Sequence, residues 1–135
     1  MRYKFLSHTA DVKFRAYGKN LNIAFGNSAV AMFKAMYPRR VECKVSKKIK
    51  VNGNDLESLL YNFLEELLVL LDSNGFFLSK TSVKIDEEKI SFEAELFGDM
   101  ASNYEISLQV KAVTFNEMVI KKTKDKYLCQ VVLDV

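Results

Sequence analysis

The sequence predicts an α+β domain, mainly antiparallel sheet packed with two long helices. Three observations carry that expectation. Apolar residues recur at helical spacing in only two stretches, residues 21–36 and 54–74. The segments around them alternate with a period of two. Everything after Gly75 falls into short alternating runs broken by turn residues, so neighbouring strands should pair antiparallel.

Residues 2–6 alternate briefly before Ser7-His8-Thr9-Ala10-Asp11 interrupts them. Val12, Phe14 and Ala16 then share one face, and Asp11, Lys13, Arg15 and Tyr17 the other, a half-buried strand whose wet face begins with a carboxylate. Gly18 ends it, and Asn20 is placed to cap a helix. Leu21, Ala24, Phe25, Ser28, Met32, Ala35 and Met36 form a stripe suited to lying on a sheet, and Pro38 stops the helix. Gly26 is a poor helix former and marks a point of close packing. Residues 41–51 read as a strand, with Val41, Cys43, Val45, Ile49 and Val51 on one face.

Asn54 and Glu57 have the N-cap to N3 spacing of a second helix. Its apolar face runs from Leu56 through Phe63 to Leu71, and Asn74-Gly75 supplies a left-handed exit. Strands are expected over 76–85, 89–97, 105–114, 118–122 and 126–134. Turns are expected at Asp86-Glu87-Glu88, Gly98-Asp99, Asn116-Glu117 and Lys124-Asp125.

With 135 residues, 49% apolar and 27% charged, the chain fits one domain, 1–135, able to bury roughly two-thirds of the surface it exposes when unfolded. One Pro and five Gly exclude collagen-like or linker-like composition. The longest strongly apolar run, Leu67 to Leu71, is too short to span a membrane, and no signal-peptide pattern opens the chain. A soluble, cytoplasmic protein with no membrane partner is expected. Cys43 and Cys129 lie far apart and His8 is the one histidine, which argues against zinc chemistry.

The most informative carboxylates lie at the two chain ends. Asp11 opens a strand where the backbone turns, and Asp134 immediately precedes Val135. If the first and last strands are neighbours, these side chains and the terminal carboxylate converge in an all-oxygen site suited to Mg²⁺, Mn²⁺ or Ca²⁺. Spacing alone favours the plainer alternative, in which Asp11 caps a turn and Asp134 frays. His8 is a candidate base or ligand, yet no nucleophile stands beside it, and a lone histidine at a strand end is more often structural. No Gly-rich phosphate loop is present.

Two segments are basic. Arg39, Arg40, Lys44, Lys47, Lys48 and Lys50 face only Glu42, while Lys121, Lys122, Lys124 and Lys126 form the second. They suit phosphate binding, and equally the protection of sheet edges. No aromatic-interleaved RNA-recognition pattern accompanies them.

Four segments together resemble the archease family, associated with tRNA splicing. They are His8-Thr9-Ala10-Asp11-Val12 with Ala16-Tyr17-Gly18, the helix from Leu59 to Leu68, the run Val110-Lys111-Ala112-Val113-Thr114, and the ending from Gln130 to Val135. The resemblance spans essentially the whole chain. It implies an activator, not a stand-alone enzyme, with no small-molecule substrate of its own. Its implied partner is the GTP-dependent RNA ligase that joins tRNA exons, with tRNA engaged indirectly through that ligase. It further implies promotion of ligase guanylylation and multiple turnover, and a divalent cation at one tip held by Asp11, Asp134 and an oxygen of Val135. By the same resemblance, His8 and Lys111 are contacts for the partner. Many relatives carry Tyr-His where this chain has Phe115-Asn116, and Val135 replaces a commoner isoleucine. The second reading is a basic RNA-binding or chaperone module acting on tRNA or tRNA-processing enzymes.

Overall fold

In the computed structural model, which describes residues 1–7 and 10–135, the element order is β1 (Tyr3–Leu6), β2 (Asp11–Gly18), α1 (Leu21–Met36), β3 (Val45–Asn52), α2 (Leu56–Asn74), β4 (Phe76–Asp86), β5 (Ser91–Met100), β6 (Ala112–Lys122) and β7 (Tyr127–Asp134). A four-stranded sheet has the order β1-β2-β7-β6, and a three-stranded sheet the order β3-β5-β4. Every pairing is antiparallel, which matches the expected α+β class.

Both helices join the sheets. Helix α1 packs on β1, β2 and β7 of one sheet and on β4 of the other, while α2 packs on β6 and on β3 and β4. Contact on several sides explains why α1 buries Leu21, Phe25, Ala29, Met32, Phe33 and Met36 together with small residues such as Ala24 and Ala31. The small side chains let strands approach the helix backbone. Ser28 is buried there, and its hydroxyl donates to the Ala24 carbonyl at 2.8 Å, which removes the penalty of an unsatisfied polar group. Edge-to-face rings lock the helices to the smaller sheet: Phe33 on Phe77 and Phe63 on Phe92, both with centroids 4.9 Å apart.

Several expectations need correction. The α2 cap is Asp55, not Asn54, and its N3 partner is Ser58, not Glu57. The Asp55 carboxylate accepts from the Ser58 N–H at 2.7 Å, and the Ser58 hydroxyl accepts from the Asp55 N–H at 3.1 Å. This reciprocal pair satisfies two donors at once, so it sets the helix start one residue downstream of the expected one. β3 begins at Val45, because Glu42 gives its N–H to the Tyr104 hydroxyl at 2.8 Å instead of a neighbouring strand.

Gly98-Asp99 lies inside β5 and is no turn. A Cβ on Gly98 would stand 2.0 Å from the Phe77 carbonyl oxygen, so glycine is required where β4 closes on β5 beside an irregularity at Leu78/Lys80. Residues 105–111 are not a strand, and Asn116-Glu117 is not a hairpin turn. Residues 112–122 form one strand with a bulge between Thr114 and Val119, where Glu117 adopts φ 54°. At Gly26, a Cβ would meet Thr81 at 3.6 Å, an ordinary contact, so the close packing there does not demand glycine.

Candidate functional site

The end of the four-stranded sheet is built by register. Ala10 takes a left-handed φ of 63° and turns the chain into β2. β2 then pairs with β7 so that Asp11 is the cross-strand partner of Asp134, and β6 places Ala112 on the other side of Asp134. The Lys111 N–H donates to the Asp134 carbonyl at 2.8 Å, fixing the last rung of β7. Asp11 is half-buried, Asp134 and Lys111 are exposed, and Val135 packs partly against the core.

Direct cross-strand partners point to the same face, with Cβ atoms about 5 Å apart. Two carboxylates in that relation repel, and a cation between them reverses the sign of the interaction. Asp11, Lys111, Asp134 and Val135 therefore share one tip. His8 lies outside the described residues. Among the described residues no three His, Cys, Asp or Glu side chains gather at one point. Among the described residues the tip thus offers two side-chain carboxylates with main-chain oxygens beside them. An all-oxygen set of this kind fits a hard divalent cation and not zinc. Beside Asp11 opens a cleft of about 450 Å³, lined by Phe5, Leu6, Lys34, Pro38, Ser107 and Leu108.

Behind the tip the sheet's outer face is polar and ordered. Lys13 Nζ meets Glu117 Oε1 at 3.1 Å, the Arg15 Nε–H donates to Gln130 Oε1 at 2.9 Å, and the Gln130 amide donates to the Glu117 carbonyl at 2.8 Å. The β6 bulge thus folds over β7 and is tied down there. Its other arm carries Phe115, which stacks on Tyr61 of α2 with centroids 4.2 Å apart. Sequence reasoning missed Glu117 as a partner of Lys13, because Asn116-Glu117 resembles turn chemistry. The one usable signal was the length of the interruption.

Asp99 was also missed. Buried at 3% exposure, it accepts from the Met100 N–H at 2.8 Å, the Asn103 amide at 3.2 Å and the Tyr104 hydroxyl at 2.7 Å. The Tyr104 hydrogen bond, then the Met100 N–H, holds its carboxyl below the ordinary value. This cluster anchors the 3-10 turn Ala101–Asn103 and is structural. Burial pushes the Cys129 thiol up to about 12, which keeps it protonated and inert.

The two basic segments separate. In the smaller sheet Lys48 faces Glu95, and Lys50 and Lys84 flank Glu93, with Lys50 Nζ 3.5 Å from Glu93 Oε1, so the two acids offset part of the lysine charge on this face. The second segment occupies the β6–β7 turn, at the end of the larger sheet opposite the carboxylates. No helix among the described residues is long and apolar enough to cross a membrane.

The model of the archease protein family (MTH1598/TM1083) matches residues 3–135. The archease of Sulfurisphaera tokodaii is 41% identical over 137 residues, covering 99% of both chains. That of Pyrococcus abyssi is 39% identical over 140 residues, again with 99% of each covered. The solution structure of protein 1598 from Methanobacterium thermoautotrophicum superposes with a TM-score of 0.84 at 34% identity, covering 99% of each chain. The crystal structure of an archease from Thermotoga maritima, 15% identical with a TM-score of 0.66, shares the fold across 98% of this chain and 96% of its own.

Proposed function

The chain belongs to the archease family, and from that membership we propose that it is a non-enzymatic activator of the GTP-dependent RNA ligase of tRNA splicing, working through a divalent cation at the Asp11–Asp134 tip. The observation that carries the reading is the cross-strand pairing of those two carboxylates at one sheet end. Asp11, Asp134 and an oxygen of Val135 are the proposed ligands, with Ca²⁺, Mg²⁺ or Mn²⁺ as the cation. A cation held there would supply positive charge for the phosphate oxygens of GTP in the ligase's cleft.

This chain's residues do the positioning. The Asp11 and Asp134 carboxylates hold the charge at an exposed edge, and the Lys111 N–H fixes the Asp134 backbone, so the donors are arranged before any partner arrives. The cleft next to Asp11, with Phe5, Leu6 and Leu108, gives an adjoining apolar surface against which the ligase closes. Activation requires tighter binding to the guanylylation-competent ligase than to its resting form; tight binding alone shifts nothing.

The test is single-turnover labelling of the cognate ligase with radioactive GTP, with and without this protein. The wild type should accelerate labelling, while Asp11→Ala and Asp134→Ala should leave it at the rate of the ligase alone and keep an unchanged circular dichroism spectrum. A variant that accelerates labelling as well as the wild type overturns the tip.

A further inference from the structure

We propose that the opposite end of the four-stranded sheet is a second binding surface, for the phosphate backbone of a nucleic acid, independent of the acidic tip. Lys122 and Tyr127 are the last cross-strand partners of β6 and β7, and Gly18 of β2 pairs with Tyr127 on its other side. Lys19, Lys121, Lys122, Lys124 and Lys126 therefore gather around one sheet end, with Asp125 as the acid of that turn. That end carries four net positive charges against +3 for the whole chain, so the rest of the molecule is close to neutral.

The lysines are held in place and left available. Lys126 Nζ sits 4.6 Å from the centroid of Tyr17, and Lys122 Nζ sits 5.8 Å from that of Tyr127. The turn between them is closed by the Thr123 N–H and hydroxyl, both donating to the Lys126 carbonyl at 2.8 and 3.0 Å. None of the five takes part in the ion pairs Lys13–Glu117, Arg40–Glu42 and Lys50–Glu93 found among the described residues. Edge protection does not account for them, because Lys19, Lys124 and Lys126 stand outside the strands.

The chemistry selects a phosphate backbone. Residues 121–127 carry no exposed large apolar side chain, which a protein partner would need as an anchor. The two tyrosine rings each hold a lysine ammonium group against one face, so the turn presents cations and no pocket that would read a base edge. Binding is therefore independent of sequence and dominated by counterion release.

The experiment is fluorescence anisotropy of a fluorescein-labelled 12-nucleotide oligouridylate titrated with the full chain at 50 and 200 mM KCl. Neutralising about four phosphates predicts roughly a 50-fold weakening between the two salts. Lys122→Glu/Lys124→Glu should weaken binding at least tenfold at 50 mM, with an unchanged melting temperature. Lys48→Glu/Lys50→Glu and Asp11→Ala should stay within twofold of the wild type. Salt-independent binding, no binding at 50 mM, or equal loss in both lysine pairs overturns the assignment. So does capture of phosphatidylserine vesicles by a chain that ignores the oligonucleotide.

Discussion

Asp99 and Asp134 are both carboxylates in sheet strands, yet their surroundings give them opposite duties. Asp99 is buried and receives three hydrogen bonds, so its charge serves the fold. Its carboxyl titrates below the ordinary 3.8, chiefly because of the Tyr104 hydroxyl. In the unfolded chain it binds a proton at higher pH than in the folded one, so stability is present above that ordinary value and is lost as pH falls through the folded one. Urea midpoints at pH 7, 4 and 3 check this. Asp99→Asn should lower the pH 7 midpoint and flatten the acid decline, whereas an unchanged decline would remove Asp99 from the account. Asp134 is exposed, and its meaning comes from register with Asp11, a residue 123 positions away. Spacing along the chain holds no information about that pairing, so spacing alone favours the plainer reading, and it is the family resemblance that puts both residues in one site.

Elements were legible where local chemistry alone decides them. Helix α1 runs over the expected residues, with Asn20 accepting from the Ile23 N–H at 2.9 Å as its cap, and Gly75 ends α2 with φ 65°. The start of α2 was read one residue early because Asn54 and Asp55 are both competent caps, and Ser58 decided between them. Asp55→Ala should cost about 1 kcal/mol in thermal or urea unfolding, while Asn54→Ala should cost much less. Equal effects at the two positions would contradict the observed cap. The second half misled where a strand carries irregularities. Gly98-Asp99 and Asn116-Glu117 have turn composition, but tertiary pairing with β4 and β7 carries the strands through them. A bulge and a hairpin turn use the same residue types, so composition does not distinguish them.

On the scale of the whole molecule, the four-stranded sheet separates charge. Its carboxylate tip and its lysine turn stand at opposite ends of β7, eight residues or about 25 Å apart. The smaller sheet sets Lys48, Lys50 and Lys84 against Glu95 and Glu93, so its charges partly cancel. Helices α1 and α2 bridge the two sheets, so the tip is carried by a continuous core that includes Phe14, Val131 and Leu133. A divalent cation held at this tip, as proposed, would bind the folded chain alone and so raise its stability. Melting temperature is the most direct measurement, taken for the wild type and Asp134→Asn in EDTA and with Mg²⁺, Mn²⁺ or Ca²⁺. A cation at about a hundred times its Kd adds about 2.7 kcal/mol, or roughly 8 °C for a domain of this size. The account predicts that shift for the wild type with at least one cation, and none for Asp134→Asn, which should also melt slightly higher than the wild type in EDTA because a like-charge pair is gone. A wild type that melts at one temperature in all four conditions, or a variant that shifts as much as the wild type, would contradict it.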